Sequence, residues 1–126
     1  MDTFEYIHTE NLSEENISDT VIAVCAINAT LRTKGVVSMT GGFTDTLSEN
    51  ILGKELLSKG VKVDQGDDGI TLDVYVVIKY GSKIPQVAWD IQENVKNEVE
   101  TMTDKKVAAV NIHVQKIQLA EKKRGF

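Results

Sequence analysis

The run Ile70-Thr71-Leu72-Asp73-Val74-Tyr75-Val76-Val77-Ile78-Lys79-Tyr80-Gly81-Ser82-Lys83-Ile84-Pro85, continued to Met102, decides the fold. In its first part Ile70, Leu72, Val74, Val76, Ile78 and Tyr80 take every second position. Thr71, Asp73, Tyr75 and Lys79 fall between them, the pattern of a strand with one face in the core. From Ile84 the period changes. Ile84, Ala88, Ile91, Val95, Val99 and Met102 recur at spacings of three and four, while Asp90, Glu93, Lys96, Asn97, Glu98 and Glu100 lie elsewhere, so an amphipathic helix follows the strand. Pro85 suits its first turn, where a missing N–H costs nothing, and Ser82 or the Ile84 backbone is the cap region.

Beyond this helix Thr103-Asp104-Lys105-Lys106 is a polar connection, and Val107, Val110, Ile112 and Val114 resume a strand. The apolar parity then shifts to Ile117 and Leu119, which marks a bulge or the end of the sheet near Gln115. Strand, helix, strand over this span is a parallel crossover unit, expected to be right-handed. On the other side, Val61 and Val63 alternate with Lys62 and Asp64, and Asp68-Gly69 follows, so a hairpin with its tip at residues 66–69 leads into the long strand. Asp64, Asp67, Asp68 and Asp73 flank that hairpin, where carboxylates serve turn geometry and solubility, and their spacing misses the calcium-loop pattern. Val36, Val37 and Met39 form a short strand ended by Thr40-Gly41-Gly42.

Upstream, Asn11 and Ser13 before Glu14 and Glu15 place a helix start near Ser13, with Ser18 as the later alternative. Ile17, Val21, Val24, Ala26, Ile27, Ala29 and Leu31, with Ile22 and Cys25 between them, spread around more than half of this helix. It therefore packs against both the sheet and the second helix, and Lys34-Gly35 closes it. Residues 1–12 are a short edge strand or a loosely tied arm, and residues 44–58 hold one or two helical turns interrupted by Gly53. Residues 119–126 form a frayed basic tail. The whole, residues 1–126, reads as one α+β domain: a two-layer sandwich with a mixed sheet of three to four strands and two main helices on one face.

With 126 residues, 41% of them hydrophobic, the chain can bury one core. No apolar run reaches the roughly 18 residues of a membrane span. The acidic start Met1-Asp2-Thr3-Phe4-Glu5 is unlike a secretory signal, so the expectation is a cytosolic protein without direct membrane insertion. The formal charge of −5 opposes sequence-independent binding to nucleic acid, which gains its strength by neutralising phosphates. His8 and His113 are the only histidines and Cys25 the only cysteine, a poor inventory for a metal site. No serine, threonine or cysteine stands in a spacing that suggests a nucleophile and its base. The expected site assignments are therefore no catalytic, cofactor-binding or metal-binding residue. Two kinds of surface stand out instead. The strand face opposite the core, with Tyr75, Val77 and Lys79, is the candidate partner surface; the candidate basic patches are Lys54, Lys59 and Lys62, and Lys122, Lys123 and Arg124.

Several stretches taken together resemble the alkaline shock protein, or envelope stress response, family of small Gram-positive bacterial proteins. They are Val21-Ile22-Ala23 with Ala26, Gly35-Val36-Val37-Ser38-Met39 with Gly41-Gly42, Lys59-Gly60-Val61-Lys62-Val63, and Tyr80-Gly81 before Ile84. The pattern continues in Ile91-Gln92-Glu93-Asn94-Val95-Lys96, Val99-Glu100-Thr101-Met102-Thr103 and Val107 with Val110-Asn111-Ile112-His113-Val114. Two places depart from it: Asp104-Lys105, where members commonly carry a glycine-containing turn, and Lys34, where an acidic residue is common. The resemblance implies a non-catalytic cytoplasmic protein without cofactor. It would act as a scaffold or interaction module in the envelope stress response, peripheral at the inner face of the membrane through a membrane-anchored protein partner, and open to self-association. The alternative is a KH-like nucleic-acid-binding module, against which stand the acidic balance and the lack of a Gly-x-x-Gly loop with basic neighbours.

Overall fold

A computed structural model describes residues 17–41 and 59–119. The element order is α1 (Asp19–Leu31), β1 (Val36–Met39), β2 (Val61–Gly66), β3 (Gly69–Lys79), α2 (Ile84–Thr103) and β4 (Val107–Gln118). β3 is the middle strand. It pairs antiparallel with β1 through Val36↔Ile78 to Met39↔Val76 and with β2 through Val61↔Val74 to Gly66↔Gly69; β4 pairs with it in parallel from Ile70↔Val107 to Lys79↔Gln118. Because β4 occupies one edge along its whole length, β1 and β2 must lie end to end along the other. Their junction is at Tyr75, whose N–H donates to the Gly60 carbonyl (2.8 Å) and whose carbonyl accepts from the Thr40 N–H (3.2 Å). Gly60 fits there because its φ is +96° and a Cβ would sit 3.1 Å from both the Thr40 and Tyr75 carbonyl oxygens.

The expected architecture holds: a two-layer α+β sandwich with a mixed sheet and both helices on one face. Ile70, Leu72, Val74, Val76 and Ile78 are each at most 2% exposed and form the floor of the core. α1 covers the β1–β2 side and α2 the β4 side, and the helices also pack on each other. Arg32 pairs with Glu98 at 3.2 Å, and Asn94 Nδ2 donates to Thr33 Oγ1 at 2.9 Å across that seam. The hairpin turns at Asp67-Asp68, and Gly69, at φ +128°, leaves room for the Lys106 carbonyl that accepts from the Ile70 N–H. A Cβ on Gly69 would lie 2.8 Å from that oxygen.

Several expectations need correction. The helix begins at Asp19: Ser18 is extended, and its Oγ accepts from the Val21 N–H at 3.2 Å, so the cap is Ser18 and not Ser13. Val24 and Leu31 on α1 are about half exposed, because the sheet and α2 cover only the side bearing Ile22, Ala26 and Ala29. The buried row of α2 is Val87, Ile91, Val95, Val99 and Thr103, a step of four throughout. That row is inclined to the helix axis, so Ile84 (40% exposed) and Met102 (63%) drop to its flanks at the two ends. Lys83, with no side-chain cap bond, is the N-cap. Tyr80 lies past the strand end and is 63% exposed. Asp104 stands where a glycine was expected by resemblance and itself takes the left-handed conformation, φ +61°. Near Gln115 the strand does bulge, and it continues to Gln118 with its parity shifted, as the sequence pattern indicates. The expectations for residues 1–12, 44–58 and 120–126 fall outside the described residues.

Buried hydroxyls are satisfied locally: Thr30, Thr33 and Thr103 donate to the carbonyls of Ala26, Ala29 and Val99 at 2.7–2.9 Å. Burial, and secondarily the charge of Glu98, push the Cys25 thiol above its ordinary value, which suits an inert core residue. Glu100 ties α2 to the start of β4. Its Oε2 accepts from the Val107 N–H at 2.9 Å and Lys96 Nζ lies at 3.0 Å, and together these hold its carboxyl below the usual 4.5.

Two predictions follow from this packing. Ile91→Asp places a charge at a fully buried position, at a cost of several kcal/mol against a total stability of about 5–15 kcal/mol, and should abolish the cooperative urea transition. Glu93→Ala, on the exposed side of α2, should leave the midpoint almost unchanged; equal midpoints would refute the helix face. A carboxyl depressed in the folded state contributes stability that is present above its unfolded value and lost as pH falls through the folded one. Glu100→Gln should therefore lower the urea midpoint at neutral pH, with the gap to the parent closing as pH falls below the ordinary carboxylate range and through the depressed folded-state value. A gap independent of pH would contradict the role assigned to Glu100.

Candidate partner surface on the open sheet face

The odd-numbered residues of β3 face away from the helices, and the parallel register with β4 decides what they meet. Asp73 stands level with Asn111 and Tyr75 level with His113; on the other side Asp73 stands level with Lys62. The Tyr75 and His113 rings stack, with centroids 4.4 Å apart and planes 13° from parallel. His113 Nε2 lies 2.9 Å from Asp73 Oδ1, and Asn111 Nδ2 donates to the same oxygen at 3.3 Å. Neighbouring strands thus hold four side chains in one bonded group at the centre of the face. Tyr75, His113 and Asp73 are all half-buried.

The site residues named from sequence separate on inspection. Tyr75 is central to this group. Val77 is only 6% exposed, too buried to offer contact area of its own, and Lys79 is exposed at the strand end. Beside Val77 lies a cavity of about 450 Å³ bordered by Ser38, Thr40, Gln115, Lys116 and Gln118. Lys59 and Lys62 are exposed, with Lys62 on the open face; Lys54, Lys122, Lys123 and Arg124 lie outside the described residues. Asp73 corrects the sequence reading, since it acts as an acceptor in mid-strand and takes no part in the hairpin turn. The Asp73–Tyr75–Asn111–His113 group was missed, although the parallel crossover and the matching i, i+2 spacing of Asp73/Tyr75 and Asn111/His113 were a signal for it.

Chemically the group is a preorganised platform. Its stacking and hydrogen bonds already fix the rotamers of an aromatic and an imidazole side chain, which lowers the ordering cost that a contact through them must meet. Among the described residues no serine, threonine or cysteine is hydrogen-bonded to His113, and no cluster of three or more His, Cys, Asp or Glu side chains could hold a metal ion. No helix among them is long and apolar enough to cross a membrane.

A two-layer sandwich with an open, partly aromatic sheet face defines a small α+β protein whose distinctive chemistry lies on a surface. The chain belongs to the alkaline shock protein 23 family, described by a cell envelope-related function, whose pattern matches residues 7–119. YqhY, an uncharacterized protein of Bacillus subtilis (strain 168), is 41% identical over 112 residues, covering 89% of this chain and 82% of that protein. A stress response regulator gls24 homolog of Streptococcus pyogenes (serotype M3, strain MGAS315) is 31% identical over 87 residues, 69% of this chain and 49% of the relative. Among solved structures a MamM-CTD chain aligns at TM-score 0.48 and 12% identity over 79% of this chain and 98% of its own length, a likeness too loose to bear on function.

Proposed function

We propose that the protein is a non-catalytic scaffold or interaction module of the envelope stress response, held at the inner face of the cytoplasmic membrane by a protein partner that docks on the open sheet face around Tyr75. The observation that carries this reading is the stacked Tyr75–His113 pair locked to Asp73. Aromatic side chains held in place by their neighbours are the usual anchors of protein contacts, and this pair stands on a rigid sheet. The envelope-related family and the stress-regulator relative supply the cellular context. A second copy of the chain is an occupant of the same kind.

The KH-like alternative is the weaker one. One face of each of the Tyr75 and His113 rings is taken by the other, and Asp73 puts a carboxylate beside Lys62 at the centre of the face, where a phosphate backbone would run. Direct lipid attachment is also weak, since Lys122, Lys123 and Arg124 would contribute about 1 kcal/mol each toward anionic lipid. Cell fractionation tests the reading. Tyr75→Glu should move the protein from the envelope fraction to the soluble one, while truncation before Lys122 leaves it in place. Release by truncation alone, with Tyr75→Glu unaffected, would make the basic tail the anchor.

A further inference from the structure

β4 presents a second surface, separate from the open face. β3 takes its inner edge, and among the described residues no strand pairs with its outer edge. Such an edge is ordinarily guarded by charge, proline or shortness; β4 is a long strand with no proline, and Lys116 is its single lysine. On the helix side of this strand Val114 is 37% exposed, Ile117 36% and the adjoining Leu119 60%.

α2 builds a wall beside that edge. Gln92 Nε2 donates to the Val110 carbonyl at 3.0 Å, which fixes the β4 side of the helix. Trp89, one turn earlier on that side, is 57% exposed. Because α2 runs back along the sheet between two parallel strands, residues before Gln92 lie toward the C-terminal half of β4. Ile84 is about 12 Å from Gln92 along the helix and Val114 about 13 Å from Val110 along the strand, so these two exposed apolar residues stand level. Beyond Val110, whose carbonyl Gln92 occupies, the outward backbone groups of β4 have no strand partner among the described residues and adjoin a wall that includes an exposed tryptophan.

The charges identify the occupant further. Lys116 and Lys79 lie on the opposite, open side of the same end, and neither enters an ion pair among the described residues; Asp73 on that side is already bonded to His113 and Asn111. We propose that the outer edge of β4 and the Trp89 side of α2 form a groove for an extended segment of a partner protein, added as a further strand. Its alternate side chains are apolar, against Val114, Ile117 and Trp89, and an acidic side chain on its other face meets Lys116. Main-chain bonds to the edge supply affinity, and the two faces supply specificity. A second copy fits less well, because antiparallel pairing of two β4 ends about a twofold axis through Val114–Gln118 brings the two Lys116 side chains together. The groove deepens, and rests on, the reading of the protein as an interaction module.

Trp89 is the only tryptophan, so its emission reports on the groove directly. The probe is a decapeptide of alternating valine and glutamate, titrated into the full chain. The expected result is a saturable blue shift, which Lys116→Glu weakens about tenfold while gaining a shift with an alternating valine–lysine peptide. Circular dichroism is expected to be unchanged by this exposed substitution. Tyr75→Glu should leave the shift intact. The proposal is overturned if the valine–glutamate peptide gives no shift, if the same peptide N-methylated on its amides shifts Trp89 equally, or if a blue shift grows with protein concentration alone. Failure of the peptide while Tyr75→Glu still releases the protein from the envelope fraction would remove the groove and keep the module.

Discussion

Hydrogen bonding along both edges of β3 is the constraint on which the rest of the structure depends. Once β4 runs parallel to this strand on one side and β1 and β2 share the other, every even-numbered residue from Ile70 to Ile78 must face one way. α1 and α2 then have a single apolar floor on which to bury Ile22, Ala26, Val87, Ile91 and Val95. A slip of one residue in the β3–β4 register would put Asp73 and Tyr75 under the helices and expose Leu72 and Val74, so the apolar alternation itself protects the register. The glycines at Gly60 and Gly69 matter because they let neighbouring backbone close on β3 at the points where its pairing changes hands.

The same register composes the opposite face. Stacking between Tyr75 and His113 requires their two strands to run level, and the Asp73 carboxylate is shared by His113 and Asn111 only because the parallel pairing brings residues 111 and 113 beside 73 and 75. Core and candidate surface are therefore two outcomes of one pairing. Cross-strand pairs of this kind stabilise the sheet by themselves, and they also fix the rotamers of Tyr75 and His113.

Much of this was legible in the sequence because it is local. Alternation over Ile70 to Ile78, the Asp67-Asp68 tip, the change of period at Ile84 and the parity shift at Gln115 are short-range signals, and each corresponds to an element or bulge where it was expected. What escaped depends on distant parts of the chain. Whether Ile84 or Val87 faces inward is set by the inclination of α2 across the sheet, and Val24 and Leu31 are exposed because no layer lies beyond α1. Val77 looked available by parity alone, yet it is 6% exposed. The Asp73–His113 contact joins residues forty positions apart and becomes visible only when the register is known.

The arrangement makes the backbone of β3 the most protected part of the protein and, among the described residues, leaves the outward amides of β4 without a strand partner. Native-state hydrogen exchange followed residue by residue tests this most directly. The amides of Ile70 to Ile78 should exchange only through global unfolding, with an opening free energy equal to the stability obtained from denaturant, whereas the amides of β4 that point away from β3 should exchange through local fluctuations orders of magnitude faster. Equal protection on the outward amides of β4, or fast exchange within β3, would contradict a sheet centred on β3 with a free edge at β4.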